Sequence, residues 1–308
     1  WFPIVVQSAL TVGSGVVAYH GFNGKLGFVS GLFIAVCPFL ALYDFRLLSE
    51  SLYLNLVWLA WLLLFRDRPI FGGLALGAAI LARDTLVLLP LAALLLVRTR
   101  RVAIAAAVAY LSITPWVAMT GSLSAGRMGI NLWVGTWERN AQWFVEDGPS
   151  NPDFPSCAFR SPEEQTIVRA NWRNDEVLKK VATERIKANP LGVAKAWVER
   201  YPRLWLGTRT EHILMRLPRF SVEWTVFKSA FYGLNVVLLL FGLWGAFRPD
   251  RLFIVPVVYA ALIHIPFHSE LRYSIFALPF LLWLGVRRAL DWSYSKHRTS
   301  TAARSSHI

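Results

Sequence analysis

Long apolar runs, repeated along almost the whole chain, restrict this sequence more than any motif in it. Several reach the length of about 17–25 residues that an α-helix needs to cross a hydrocarbon core. They fall at about 1–19, 26–43, 48–65, 69–82, 85–97, 102–118, 226–247, 252–267 and 273–290. Hydrophobic residues make up 55% of the 308 and mean hydropathy is +0.44, against about 45–50% apolar usage in soluble domains. The expected fold is all-α: a polytopic transmembrane helical bundle of about nine membrane segments, interrupted by one long polar region. The runs are too many and too evenly spread for a single signal peptide, and no leader with a basic n-region is visible. The chain opens on Trp1-Phe2-Pro3, already inside an apolar run, and further sequence is expected upstream.

Short loops set the expected orientation. Arg66 and Arg68 follow the third segment, and Arg98, Arg100 and Arg101 lie between the fifth and sixth. Arg248 and Arg251 follow the seventh, and Arg287, Arg288, Lys296, Arg298 and Arg304 close the chain. Alternating crossings bring all of these, with Lys25, to one face, which the positive-inside rule makes cytoplasmic. The formal net charge of +13 is then a topology signal and not the footprint of a nucleic-acid site. Cys37 lies in an apolar run and Cys157 in the polar region, so they make no disulfide framework.

The opposite face receives three short turns, 44–50, 83–84 and 270–272, each holding an arginine beside at least one carboxylate. It also receives the long polar region, 119–225. Polar chemistry therefore collects on one side, as in a membrane enzyme working at one surface. The fourth and fifth segments hold about 14 apolar residues each, about 21 Å of helix against a core about 30 Å thick. They are expected to tuck inside the bundle, with Arg83 and Asp84 held below the outer surface. Such a pair is costly unless it faces protein or water. Gly72, Gly73 and Gly77 read as small residues that permit close helix packing, because no Gly-Lys-Ser/Thr follows to make a phosphate loop.

The polar region carries its own helix signals. Ser161-Pro162-Glu163-Glu164 spells a capping box with Pro at the first helical position. The run 175–188 sets Val177, Leu178, Val181 and Ile186 among charges, and Asn189-Pro190 ends it and starts another helix. That next helix mixes Trp197, Tyr201 and Trp205 with Lys195, Arg200 and Arg203, which suits either the lipid headgroup level or a soluble cap over the bundle. Residues 143–160, with Pro149, Pro152 and Pro155, read as an irregular flap. The expected division is an N-terminal transmembrane bundle over 1–118, an extracytoplasmic helical region over 119–225, C-terminal transmembrane helices over 226–290, and a basic cytoplasmic tail over 291–308. After Lys296 the tail is Ser/Thr-rich and expected to be disordered.

The order of several short motifs resembles the bacterial members of the GT-C glycosyltransferases, the superfamily of protein O-mannosyltransferases and lipid A aminoarabinose transferases. An apolar helix leads into Gly21-Phe22-Asn23-Gly24-Lys25-Leu26-Gly27, and the next helix ends Cys37-Pro38-Phe39-Leu40. Then come Arg46-Leu47-Leu48-Ser49-Glu50-Ser51-Leu52 and Gly72-Gly73-Leu74-Ala75-Leu76-Gly77, leading to Leu81-Ala82-Arg83-Asp84-Thr85. Further on, Gly129-Ile130-Asn131-Leu132-Trp133-Val134-Gly135, the Asn189-Pro190 step and Glu270-Leu271-Arg272-Tyr273 also fit family habits. The likeness spans nearly the whole chain and rests on the order of the motifs. It implies a polyprenyl-phosphate-linked sugar as donor and a lipid, glycan or protein acceptor. Transfer would be inverting, on the periplasmic face of the inner (plasma) membrane. It also implies a catalytic carboxylate in the first external loop, which would precede Trp1. The general base is thus expected upstream, the 1–118 bundle would lack the first helix and catalytic loop, and Asp44 does not match the family position.

Such a transfer asks the protein for a general base and for cationic stabilisation of the departing phosphate. Arg83 is the first candidate for the second task, since a guanidinium is permanently charged and grips phosphate oxygens bidentately. A salt bridge that merely fixes the turn is its plain alternative. Glu50 follows Ser49 at a helix start, where it either favours the positive helix end or, as the resemblance implies, organises the site. Arg46 reads as a headgroup-facing residue. In the last turn the resemblance places Arg272 and Tyr273 near the donor phosphate, with Glu270 orienting Arg272 or a sugar hydroxyl, and His268 is a further substrate contact. His264 and His268 share metal-ligand spacing, but Pro266 interrupts the helix and no third ligand is evident, so neither metal nor other cofactor is expected. The rival functions are a lipid-linked sugar polymerase or ligase and, further off, a flippase or transporter. The latter would place its ionisable groups near the midplane on broken helices.

Overall fold

The computed structural model describes Val16, Tyr19 and residues 24–37, 50–121, 128–137, 156–206, 222–247, 250–266 and 274–305. Among these residues the regular structure is helical and no strand occurs, so the fold is all-α. In chain order the helices are α1 (Gly24–Val36), α2 (Glu50–Phe65), α3 (Pro69–Ala82), α4 (Leu89–Val97), α5 (Arg100–Thr120), α6 (Met128–Gly135), α7 (Pro162–Asn171), α8 (Asp175–Ala188), α9 (Pro190–Arg200), α10 (Arg203–Leu206), α11 (Val222–Ala246), α12 (Arg251–Ile263) and α13 (Leu278–Ser305). Short 3-10 turns at Asp84–Leu86, Ser156–Ala158 and Ile275–Ala277 precede α4, α7 and α13. The chain divides into two compact units, one of Trp1–Gly121, Met215–Ala260 and Ser274–Ile308, the other of Ser122–Leu214 and Ala261–Tyr273.

The first unit is built from the apolar runs. Among the described residues Arg100–Thr120 is the one helix long and apolar enough to cross a membrane, with 28% of its apolar window buried. Leu52–Phe65, Pro69–Ala82, Asp84–Val97, Tyr232–Ala246 and Arg251–Ile263 are shorter apolar helical stretches. The core between them is aromatic: Trp58 meets Phe280 edge-on at 4.9 Å, Phe253 stacks on Trp283 at 3.9 Å, and Trp61 Nε1 donates to the Leu252 carbonyl at 2.8 Å. The outer surface is apolar too, with Phe71, Leu74, Leu95, Leu111, Val237 and Leu240 all exposed. Helices that are apolar all round are those that sit in lipid or deep inside a large protein.

Glycines set the closest approaches. A Cβ on Gly73 would stand 2.6 Å from the Ala105 carbonyl oxygen, and one on Gly77 would meet Ser112 Oγ at 1.9 Å, so α3 and α5 run parallel in contact. Gly245 lies against Leu284 and Gly285, and Gly242 against Leu281, which makes α11 and α13 parallel as well. Gly245→Ala is expected to lower the thermal midpoint, because its Cβ would sit 2.3 Å from the Gly285 nitrogen, a backbone atom that cannot rotate away. Overpacking of this kind costs about 1–3 kcal/mol. An unchanged midpoint in a thiol-reactive dye melt would contradict the backbone-to-backbone packing of α11 on α13.

This packing sorts the ends of the helices. Phe65, at the end of α2, meets Phe253 near the start of α12 at 5.8 Å, and Arg287 pairs with Asp250 at 2.5 Å. The 66–68 turn, the start of α5 beside the start of α3, and the α12 N-terminus therefore gather Arg66, Arg68, Arg98, Arg100, Arg101, Arg251 and Arg287 at one end. The first turn of α2, the end of α3 and Ile275–Ala277 lie at the other. The fourth and fifth apolar segments are joined through a real break: Arg83 is extended, and α4 resumes only at Leu89 with Pro90 in its first turn. One expectation is corrected. Helix α13 continues to Ser305 where composition predicts a disordered tail, since 296–305 contains neither Gly nor Pro to stop it.

The second unit has its own small core of Trp133, Val134, Trp137, Ala158, Val168, Leu178, Val181 and Ala182. Ser161 caps α7 by accepting from Glu164 N–H at 3.2 Å, with Pro162 in the first turn. The Ser161 hydroxyl also holds the Glu163 carboxyl below its ordinary pKa. Asn189 ends α8 and caps α9, accepting from Gly192 N–H at 2.9 Å. Residues 143–155 of the expected flap lie outside the described residues, and Ser156–Ala158 forms a 3-10 turn whose Ala158 enters the core.

Candidate functional site

In the first unit, the end opposite the arginine-rich loops is where ionisable and aromatic groups meet. Helix α3 stops at Ala82, and the Arg83 N–H still bonds back to Ala79 and Ile80 carbonyls at 2.9 and 3.2 Å. Its backbone then turns extended, φ −151° and ψ 106°, which swings the chain into the Asp84–Leu86 turn. A cation at a helix C-terminus and a carboxylate at the start of the following turn each complement the local backbone charge. The half-buried Arg83 holds its guanidinium carbon 5.9 Å from the centre of the Tyr53 ring. Such a cation–π contact contributes about 0.5–1 kcal/mol at an exposed site and more when desolvated.

The shelf under Arg83 is made from distant parts of the chain. Tyr53 lies 6.0 Å from Phe276, and Phe276 lies 6.5 Å from Tyr259. Tyr259 Oη donates to the carbonyl of Thr85, and Tyr110 Oη donates to that of Val87 at 2.9 Å. Leu86 and Leu89 are fully buried beneath the turn. A permanently charged planar fork thus stands at the edge of an apolar bundle, on a rigid aromatic support. It is a geometry suited to an oxyanion carried on an apolar tail, because the fork fits phosphate oxygens bidentately.

Two of the residues singled out from sequence are brought to this end. Arg83 is at its centre, and Glu50 is the first residue of α2, three positions and about 4.5 Å of helix rise before Tyr53. His268, Glu270, Arg272 and Tyr273 lie outside the described residues, as do Asp44 and Arg46. Ser274, the next residue after Tyr273, is buried and leads into the Ile275–Ala277 turn that carries Phe276. His264 is buried just beyond α12. Among the described residues no group of three or more His, Cys, Asp or Glu is placed to hold a metal. Sequence reasoning missed Tyr53 and Tyr259. The one signal that pointed to either was a tyrosine near the polar end of an apolar run.

In the second unit, the basic and aromatic helix turns two of its side chains inward. Trp197 Nε1 donates to the Gly135 carbonyl at 2.9 Å, and the buried Arg200 donates to the carbonyls of Val134, at 2.8 Å, and Gly135. These carbonyls end α6, so the guanidinium caps a helix C-terminus and complements its dipole. Burial lowers the Arg200 pKa to about 10, with the nearby Arg203 charge adding to the shift, so the group remains protonated at neutral pH. Arg185 is likewise internal: it pairs with Glu164, donates to Ala158 O at 2.6 Å and stands 5.4 Å from the Trp133 ring. Both arginines are buried within the second unit. No protein-family model, curated protein or solved structure matches the chain.

Proposed function

We propose that this protein is a polytopic integral-membrane glycosyltransferase, with its site on the extracytoplasmic face of the inner (plasma) membrane. It moves a sugar from a polyprenyl-phosphate donor to an envelope glycolipid, polysaccharide or protein. The observation that carries the reading is Arg83: a guanidinium on a tyrosine shelf, at the polar end of an apolar bundle whose other end gathers the short-loop arginines. A lipid-linked phosphate has the same division, an apolar tail in the bilayer and an anion at its edge. Arg83 binds that anion and stabilises the charge that builds on it as the sugar departs. Glu50, at the start of α2 on the same end of the first unit, supplies a further contact to donor or acceptor.

The bilayer part of the proposal is supported by the apolar outer surface of the first unit and by the segregation of arginines to one end. Single cysteines at Arg100 and Lys195, on a background with Cys37 and Cys157 replaced by serine, test the orientation. A membrane-impermeant maleimide is expected to label position 195 and spare position 100 in intact cells. The reverse pattern would overturn it. The activity is tested in native membranes, with and without the protein, supplied with polyprenyl-phosphate-linked hexoses and pentoses. Release of free polyprenyl phosphate that depends on the protein is expected, and equal release from both membranes for every donor would contradict the reading.

A further inference from the structure

The break between α3 and α4 frees backbone carbonyls from helical bonding. Inside the turn, Leu86 N–H donates to Arg83 O at 3.1 Å and Val87 N–H donates to Asp84 O at 3.0 Å. Pro90 has no N–H to offer back into the turn. The carbonyls of Thr85 and Val87 are met from other helices, by Tyr259 of α12 and Tyr110 of α5. In apolar surroundings an unmet carbonyl is costly, so a hydroxyl brought in from a neighbouring helix fixes the turn in place.

Tyr259 does this and more. Its hydroxyl holds the turn two residues after Arg83, while its ring packs toward Phe276 at 6.5 Å. Phe276 in turn backs Tyr53 at 6.0 Å, and Tyr53 carries the guanidinium at 5.9 Å. One side chain therefore braces Arg83 along two routes, through the backbone and through the aromatic shelf. We infer that Tyr259 is a positioning residue for Arg83, fixing the fork against a lipid-linked phosphate that Tyr259 itself does not touch. The role rests on the reading of Arg83 as a phosphate ligand.

Tyr259→Phe keeps the ring and removes the hydroxyl, so it tests the backbone route directly. The whole protein in nanodiscs is titrated with a diazirine-bearing polyprenyl phosphate, and saturable photolabelling gives a Kd. A nitroxide at Leu88→Cys, an exposed position beside the turn, reports local mobility without reference to any ligand. Its background again has Cys37 and Cys157 replaced by serine. Tyr259→Phe is expected to mobilise the nitroxide and to raise the probe Kd about three- to tenfold. An immobile nitroxide in Tyr259→Phe overturns the brace. A mobilised nitroxide with unchanged Kd overturns the positioning role, and a loss of labelling in Arg83→Ala then leaves the phosphate reading standing. Absence of saturable labelling in the wild type overturns both. Should Tyr259→Phe fail to fold, Phe276→Leu cuts the ring route alone. It is expected to raise the Kd roughly two- to threefold, and an unchanged Kd there counts against the inference.

Discussion

Arg83→Ala is expected to weaken binding of a polyprenyl phosphate by roughly ten- to a hundredfold, the loss of a charge-assisted contact of about 1.5–3 kcal/mol. The backbone bonds that end α3 should be kept. Arg83 is half-buried, its side chain lies over Tyr53, and the Ala79 and Ile80 carbonyls are met by its backbone N–H, which alanine retains. Arg83→Lys keeps the charge but loses the planar fork and its stacking, so it should fall between the two. Equal affinity in all three proteins would make Arg83 a structural residue of the turn and nothing more.

Glu164→Ala should produce the largest loss of stability, about 3–5 kcal/mol, the usual cost of leaving a buried charge without its partner. The Arg185 side chain is 4% exposed and that of Glu164 14%, so water cannot easily replace the carboxylate. Glu164 also accepts from Trp133 Nε1 at 3.3 Å, and the same change would strip that indole of an acceptor in the centre of the small core. Hydrogen exchange on the whole protein separates this from a global effect. Amides of α7 and α8 should lose protection while those of α3 and α5 keep it. Unchanged exchange in 162–188 would show that Arg185 is satisfied without Glu164.

The described helices of the first unit were legible because their apolar runs are longer than a strand and are bounded by charged or turn residues. The break before α4 was legible at Arg83 and Asp84, though the fifth apolar run reads as starting at 85 and α4 begins only at Leu89; the close packing of α3 was legible from Gly73 and Gly77. The partners of the turn were not legible. Tyr259 and Thr85 are 174 positions apart, and nothing local in either says that they meet. The capping box at Ser161 was read correctly at its first half. Glu164 then turns inward to Arg185, because an internal guanidinium 21 residues away competes for the carboxylate. The inward turn of Arg200 and Trp197 was not legible for a related reason. Composition marks a helix as basic and aromatic, but the face that packs inward depends on where α6 ends, and its carbonyls draw both donors in.

The location of a bound donor tests the central claim most directly. A photoreactive polyprenyl-phosphate sugar is crosslinked to the protein in nanodiscs, and the modified residues are mapped by peptide sequencing. Adducts should fall in the first turns of α2, in 83–88 and in the second half of α12, and excess unlabelled donor should abolish them. Adducts concentrated instead at 66–68, 98–101 or 287–288, or labelling indifferent to competitor, would contradict a donor site at the Arg83 end of the bundle.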